Sequence, residues 1–238
     1  MTGGNGQGKL STDTFFYYRG SDLELNSIYD QHVESLVRTL ALRDIETEVH
    51  TRRVSSAAQD LACIWGIPTD EIIHIRRGAL LHDIGKIGVP DCILHKKDPL
   101  TDKERDLISQ HPVIAYNLLF PVPYLRPALD IPLYHHEKWD GSGYPYRLKG
   151  NQIPVAARLF AIVDTWDALL SDRPYRPAWP VERTRDYIIS QSGQSFEPDI
   201  VIAFLAGLDS QKSISFCPVE TKSSYHTYTS RTDLYSNS

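Results

Sequence analysis

The stretch His82 to Asp91, HDIGKIGVPD, sets an imidazole and a carboxylate side by side at the end of an apolar run, Ile72 to Leu81. One stranded charge in such a setting costs on the order of 3 to 5 kcal/mol, so the pair needs partners. A divalent first-row metal takes both an imidazole nitrogen and a carboxylate oxygen, and the two oxygens of Asp83 can bridge two such ions. Lys86 then puts a cation where a phosphate would lie, and Gly85 and Gly88 allow the tight backbone of a substrate-lining loop. The plainer alternative for the pair by itself is a core histidine hydrogen-bonded to its neighbour.

Residues of the same chemistry recur along the chain. Glu46 and His50 are four apart, which puts them on one helix face at about 5 to 6 Å between Cβ atoms; this is ligand spacing and also that of an exposed pair. His111 directly precedes Pro112, and His135-His136-Glu137 closes another segment. Adjacent side chains diverge by about a hundred degrees around a helix, so the two histidines can reach neighbouring metals. Asp164 sits between Val163 and Thr165 in a run that is apolar nearly all round, and a buried carboxylate wants a metal or a cation. Asp167 is either support for a ligand or a cap. Arg173 and Arg176 are forked cations able to clamp phosphate oxygens, or else solvated surface arginines. In WDGSGYP, Trp139 to Pro145, two glycines permit close backbone approach or sharp reversal, and Tyr144 offers a ring on which a base could stack. The eight N/O donors Glu46, His50, His82, Asp83, His111, His135, His136 and Asp164 exceed the four to six or so of one metal and suit a cluster of two or three. Such a cluster generates hydroxide near neutral pH and stabilises both oxygens of an in-line displacement, which is hydrolysis at phosphorus.

The elements that must position these groups are helices. From Asp22, apolar residues Leu25, Ile28, Tyr29, Val33, Leu36, Val37 and Leu40 recur at spacings of three and four, without a sustained heptad. A second helix starts within Arg43 to Val54 and runs through Leu61 and Trp65 to Gly66. Thr69-Asp70 is expected to cap the third, which ends in the His-Asp pair. Thr101 to Glu104 reads as a capping box for a helix through His111, which Pro112 kinks or restarts. After Pro121, Pro123 and Pro127 a helix leads into His135-His136, and Ile153-Pro154 opens a central helix, Val155 to Leu170. Helices over roughly Val181 to Ser190 and Pro198 to Leu208 close the fold, and no strand is predicted. The expected layout is a flexible segment 1–21, one domain over 22–208, and a disordered or loosely attached tail 209–238.

Composition narrows the function classes. Of 238 residues 41% are hydrophobic, enough for a sizeable core, and the net charge of -5 argues against a nucleic-acid or anionic-membrane binder. A small anionic ligand in a local basic pocket is still compatible. Cys63, Cys92 and Cys217 show no CxxC or paired spacing, which fits a reducing cytoplasm. No run of about 18 apolar residues and no signal-peptide pattern is present, so the expectation is a soluble cytoplasmic chain.

Together, ETEVH (Glu46 to His50), HDIGK (His82 to Lys86), His111, HHEKWDGSGYP (His135 to Pro145), Asp164 and DRPYR (Asp172 to Arg176) resemble the HD-GYP family of bacterial cyclic di-GMP phosphodiesterases, a branch of the HD superfamily of metal-dependent phosphohydrolases. The resemblance covers about Asp22 to Leu208. It implies an all-α fold, an HD-superfamily helical bundle with a five-helix core plus additional helices. It implies Glu46, His50, His82, Asp83, His111, His135, His136 and Asp164 as metal ligands, with Asp83 bridging. Retention of Glu46 and His50 implies the three-metal version, where members lacking the Glu carry two; iron or manganese is the implied metal. Lys86, Arg173 and Arg176 match phosphate contacts, and Gly143, Tyr144 and Pro145 the pocket mouth. Val49 and Ala115 stand where glycine is frequent, and Lys97-Asp98-Pro99 replaces a Lys-Pro-Gly-type loop, without removing a ligand. No receiver, GAF or PAS-type sensor sequence accompanies the domain, so its regulatory input is open.

The activity implied is hydrolysis of cyclic di-GMP to linear pGpG and/or GMP by in-line attack of a metal-bridging hydroxide. Asp83 and Lys86 are the catalytic residues, and water protonates the leaving 3′ oxygen. The alternatives are a catalytically weak cyclic-dinucleotide sensor or interaction module, and a phosphodiesterase for mixed cyclic GMP-AMP. The partners expected are the cyclic dinucleotide, with a regulatory or GGDEF-type protein and a second copy of the chain as further options, and neither nucleic acid nor a membrane span.

Overall fold

The structure, a computed structural model, describes residues 12–43, 48–173 and 176–210, with side chains from 24 onward. Glu46, the tail from 211, and residues 1–11 of the expected flexible segment lie outside the described residues. The first helix, α1, spans Thr12–Ala41 and so starts ahead of the Asp22 expected from apolar periodicity. Arg43 follows it and hydrogen-bonds the carbonyls of Ile87 and Val89 and, at 2.8 Å, Asp91 Oδ1, tying the end of α1 to the segment after His82-Asp83.

Helix α2, Glu48–Trp65, buries Val54, Ala57, Ala58 and Leu61, a stripe at helical spacing, and ends where Gly66 takes a left-handed φ of 88°. Helix α3 covers Thr69–Leu80. The expected Thr69 cap is not formed: Pro68 holds the cap position without a side-chain bond, because Thr69 is already inside the first turn. As α3 stops at Leu80, His82 and Asp83 lie in the turn before a 3-10 segment, Ile84–Gly88. The short α4, Asp91–Leu94, precedes α5, Asp102–Ile108, which carries the expected Thr101–Glu104 capping box. Pro112 opens α6, His111–Leu119, as a separate helix, since proline's missing N–H costs nothing in a first turn. A 3-10 segment, Pro123–Ala128, leads into α7, Asp130–Tyr134, and then come α8 (Val155–Leu170), α9 (Val181–Ser190) and α10 (Pro198–Asp209). Among the described residues there is no strand beyond isolated bridges at Arg173–Arg176 and Ser192–Phe196, and no helix is long and apolar enough to cross a membrane.

Two apolar cores share α3. The larger joins α2, α8 and α10 through Leu61, Phe160, Val163 and Phe204, with Ile75 and Ala79 of α3. The smaller joins α1 and α6 through Val33, Val37 and Leu119, with Leu80, Leu81 and Ile84. His82 and Asp83 therefore sit at the seam: they fall between Leu81 and Ile84 of the smaller core, and the His82 ring lies 5.0 Å from that of Phe160 in the larger.

Beside this apolar contact, a buried charge ties α1 to α3. Arg77, 2% exposed, donates to Asp30 Oδ1 at 2.8 Å and Asn26 Oδ1 at 2.9 Å. Asp30 is 30% exposed and also pairs with Arg76. Removing the carboxylate strands a buried guanidinium, whereas removing the guanidinium leaves a half-solvated acid with a second partner. Asp30→Ala should therefore cost about 3 kcal/mol in urea unfolding, and Arg77→Met less than half of that; the reverse order would show that the pair is not what holds α1.

Candidate metal centre

Three site histidines stand at helix C-terminal ends and are turned by the carbonyls there. His82 Nδ1 bonds Ala79 O at 2.8 Å, His111 Nδ1 bonds Ile108 O at 2.7 Å, and His135 Nδ1 bonds Ile131 O at 3.0 Å. A carbonyl only accepts, so each Nδ1 carries the proton and each Nε2 is the ring's acceptor, aimed away from its own helix. His50 lies in the first turn of α2, and its Nδ1 bonds the Asp167 carboxylate on α8 at 2.6 Å with the same effect.

The Nε2 atoms converge on two carboxylates. His50 Nε2 is 3.4 Å from Asp164 Oδ1, and His82 Nε2 is 3.1 Å from Asp83 Oδ2. His111 and His135 Nε2 approach Asp83 Oδ1 at 3.3 and 3.8 Å. Donor atoms of Asp83, His111, His135 and His136 all lie within 4.8 Å of one another, as do those of His50, His82 and Asp164. The structure thus brings seven of the eight expected ligands into two adjoining groups; Glu46 is outside the described residues.

Burial works against charge on the rings of His82, His111, His135 and His136. It pushes His136 down to about 4, with His111 adding to the effect, and holds His135 well below the ordinary imidazole range with help from three neighbouring imidazoles. His111 is lowered by burial although Asp83 opposes. At His82 burial is outweighed by the Asp83 carboxylate, and the ring holds its proton more tightly than usual. Burial would also raise both carboxyls, but His82 and Lys86 keep Asp83 well below the ordinary range, and the His50 hydrogen bond does so for Asp164. Ionised carboxylates and neutral rings are the state a cation requires. The strongest sign of fit is the 3.3 Å contact between His111 Nε2 and His135 Nε2, two lone-pair nitrogens that repel unless a cation lies against both. A mixed imidazole and carboxylate set suits a divalent first-row ion.

Two glycines let the backbone close around this centre. A Cβ on Gly85 would fall 1.9 Å from His111 O, so only glycine lets the 3-10 segment reach the start of α6. A Cβ on Gly143 would fall 2.4 to 2.5 Å from Lys138 N, Glu137 Cα and His136 O. Lys86 Nζ stands 2.8 Å from Asp83 Oδ2. Tyr144 stacks on His136 with ring centroids 4.6 Å apart, so one face of the ring expected to hold a base already lies on an imidazole. Pro145 follows through a cis peptide. Arg173 is exposed, and its backbone bridges that of Arg176. The Arg176 guanidinium donates to Ala168 O and Leu169 O at the end of α8 and lies over Trp179.

Two residues with site roles were not evident from sequence. Glu137, 3% exposed, accepts from Tyr146 N at 2.7 Å and Leu148 N at 3.0 Å and so staples the loop after His136. Its signal was a lone acid beside two ligand-like histidines. Arg53 holds Asp167 behind His50; its signal was the three-residue spacing from His50.

These proton affinities set how the metal-free chain answers to pH. His111, His135 and His136 bind protons less readily folded than unfolded, so stability is fully present above their ordinary 6.5 and is lost as pH falls through 6.5 towards the His136 value of about 4. His82 contributes the opposite way, stabilising below 6.5. With three groups against one, the metal-free chain should melt at a lower temperature at pH 5 than at pH 7.5 by calorimetry; a flat or inverted profile would show that the rings are not buried neutral.

A family model described as HD domain matches residues 34–200. The cyclic di-GMP phosphodiesterase response regulator RpfG of Xanthomonas campestris pv. campestris is 38% identical over 188 residues, covering 77% of this chain and 50% of that protein. The 3'3'-cGAMP-specific phosphodiesterase 2 of Vibrio cholerae is 35% identical over 189 residues, covering 79% of this chain and 36% of that protein. The chain thus spans half or less of these relatives' lengths. In fold it is similar to a solved HDG"Y"P protein of Bdellovibrio bacteriovorus, with a TM-score of 0.57 at 17% identity over 78% of this chain and 65% of that one. The chain belongs to the HD-domain family.

Proposed function

We propose that this chain is the catalytic part of a metal-dependent phosphodiesterase that hydrolyses cyclic di-GMP, with linear pGpG as the first product and GMP as the product of a second cut. The observation that carries the reading is the convergence of two N/O donor groups on the adjoining His82 and Asp83, with the Lys86 ammonium 2.8 Å from Asp83. The name of the Xanthomonas relative points to the same substrate.

Asp83, His111, His135 and His136 would hold one ion, and His50, His82 and Asp164 a second, with Glu46 available for a third; the mixed donor set favours iron or manganese. When bound, such ions supply a hydroxide nucleophile at neutral pH and polarise phosphoryl oxygens. The chain's own residues do the rest. Lys86 Nζ donates to a non-bridging phosphoryl oxygen as charge grows there. Asp83 stays ionised throughout, because His82 and Lys86 flank it. Arg173, exposed beside the end of α8, meets the second phosphate, and Arg176 holds that segment in place through the α8 carbonyls. Water adds across one P–O3′ bond, and the leaving 3′ oxygen takes its proton from solvent. The cytoplasm is the proposed compartment, supported by cysteines without paired spacing.

A second reading, hydrolysis of mixed cyclic GMP-AMP, is favoured by the name of the Vibrio relative and uses the same centre. Chromatography of products from chain loaded anaerobically with ferrous iron or manganese separates the two. Cyclic di-GMP should be consumed faster than cyclic GMP-AMP, and the reverse order selects the second reading. His82→Ala and Asp83→Ala should each lower turnover at least about 100-fold with unchanged far-UV circular dichroism; full turnover in either variant removes the proposal. Lys86→Met should lower kcat while leaving metal content intact.

A further inference from the structure

We propose that Arg53 is a positioning residue for the metal centre: through Asp167 and Ser171 it fixes the His50 ring, and so sets metal occupancy of the His50, His82 and Asp164 group independently of the Asp83, His111, His135 and His136 group. This rests on the metal-dependent reading above.

The observation behind it is a difference among the site histidines. His82, His111 and His135 are each turned by a carbonyl three or four residues back in their own segment, so their orientation is local. His50 is turned by Asp167, which is 117 residues away on α8. A carboxylate can rotate about its own bond, so whatever holds Asp167 also holds His50. Arg53 does so with both arms of its fork: Nε to Asp167 Oδ1 at 2.6 Å and Nη2 to Asp167 Oδ2 at 2.8 Å. Nη2 also reaches Ser171 Oγ at 2.9 Å, and that hydroxyl lies 3.5 Å from Asp167 Oδ2.

The spacing closes the arrangement between two helices. Arg53 follows His50 by three residues on α2, and Asp167 follows Asp164 by three on α8, so each helix brings one candidate ligand and one support to the same face. His50 thus has a carboxylate at either nitrogen, and Arg53 is on only one of them. It marks Asp167 as the support and leaves Asp164, 3.4 Å from Nε2, as the ligand. A lysine would supply the charge without the fork and could not fix both oxygens.

Removing a residue that orients a ligand through a hydrogen bond typically weakens metal binding about 10- to 100-fold. Manganese titration of the full chain, followed by electron paramagnetic resonance and elemental analysis, reads each class of site. Arg53→Met should lose or weaken one class of manganese by about that factor and leave the other unchanged, as Asp164→Asn should; Arg53→Lys should fall between wild type and Arg53→Met. Long-range nitrogen-proton spectra of the metal-free chain should show His50 as the Nδ1–H tautomer in wild type and as a mixture in Arg53→Met, with His82, His111 and His135 unmoved. Equal weakening of both classes, or an unchanged His50 signal, would mean that Arg53 merely supports the fold and overturns the proposal, and Arg53→Lys answers the question if Arg53→Met does not fold. Wild-type binding in Arg53→Met also overturns it. A wild-type chain that binds no manganese or iron overturns the metal-dependent reading itself and this proposal with it.

Discussion

The Nε2 atoms of His50, His82, His111 and His135 face one another because the opposite nitrogen of each ring is bonded to an acceptor behind it. That constraint places repelling lone pairs 3.3 Å apart in a buried pocket, an arrangement the chain tolerates only with positive charge nearby. The fixed positive charge at hand on the chain itself is the ammonium of Lys86, 2.8 Å from Asp83. Helices α3, α5 and α7 each supply the carbonyl that turns a ring inward.

Packing serves this geometry at a few points. Two cores meet along α3, and the His-Asp pair lies at their junction, so each core positions one side of the centre. Gly85 brings the turn after Asp83 against the carbonyl of His111, and Gly143 brings the following loop against the backbone of His136 and Glu137. Both are close approaches rather than flexible hinges, and each joins two ligand-bearing segments through backbone alone.

Much of this was legible in sequence where the cause is local. Pro154 and an all-round apolar run mark α8 with its bounds, Pro112 marks the start of α6, and the Thr101–Glu104 box is visible as four residues. Seven of eight ligand candidates stand together as expected, since ligand types at helix ends are a local signal. What sequence hid depends on partners far along the chain or on main-chain atoms. The role of Arg53 was hidden because its partner Asp167 lies 114 residues away. Arg176 reads as a forked cation without a partner, and no residue pattern reveals that the carbonyls of Ala168 and Leu169 accept from its guanidinium. The Tyr144 ring read as an open platform, since only the folded loop lays it on His136.

The loop after His136 owes its path to main-chain amides and to the few groups that accept from them. Glu137 grips the amides of Tyr146 and Leu148, while the amides of Trp139 and Asp140 donate to the carbonyls of Ser195 and Gln194. Its course is fixed by Glu137, by Asp140, whose Oδ1 accepts from Ser142 N at 2.8 Å, and by Gly143, where a methyl has no room; the other side chains take no part in these contacts. A loop held this way keeps its course while the remaining side chains change, so the surface that it presents can vary over a frame that does not.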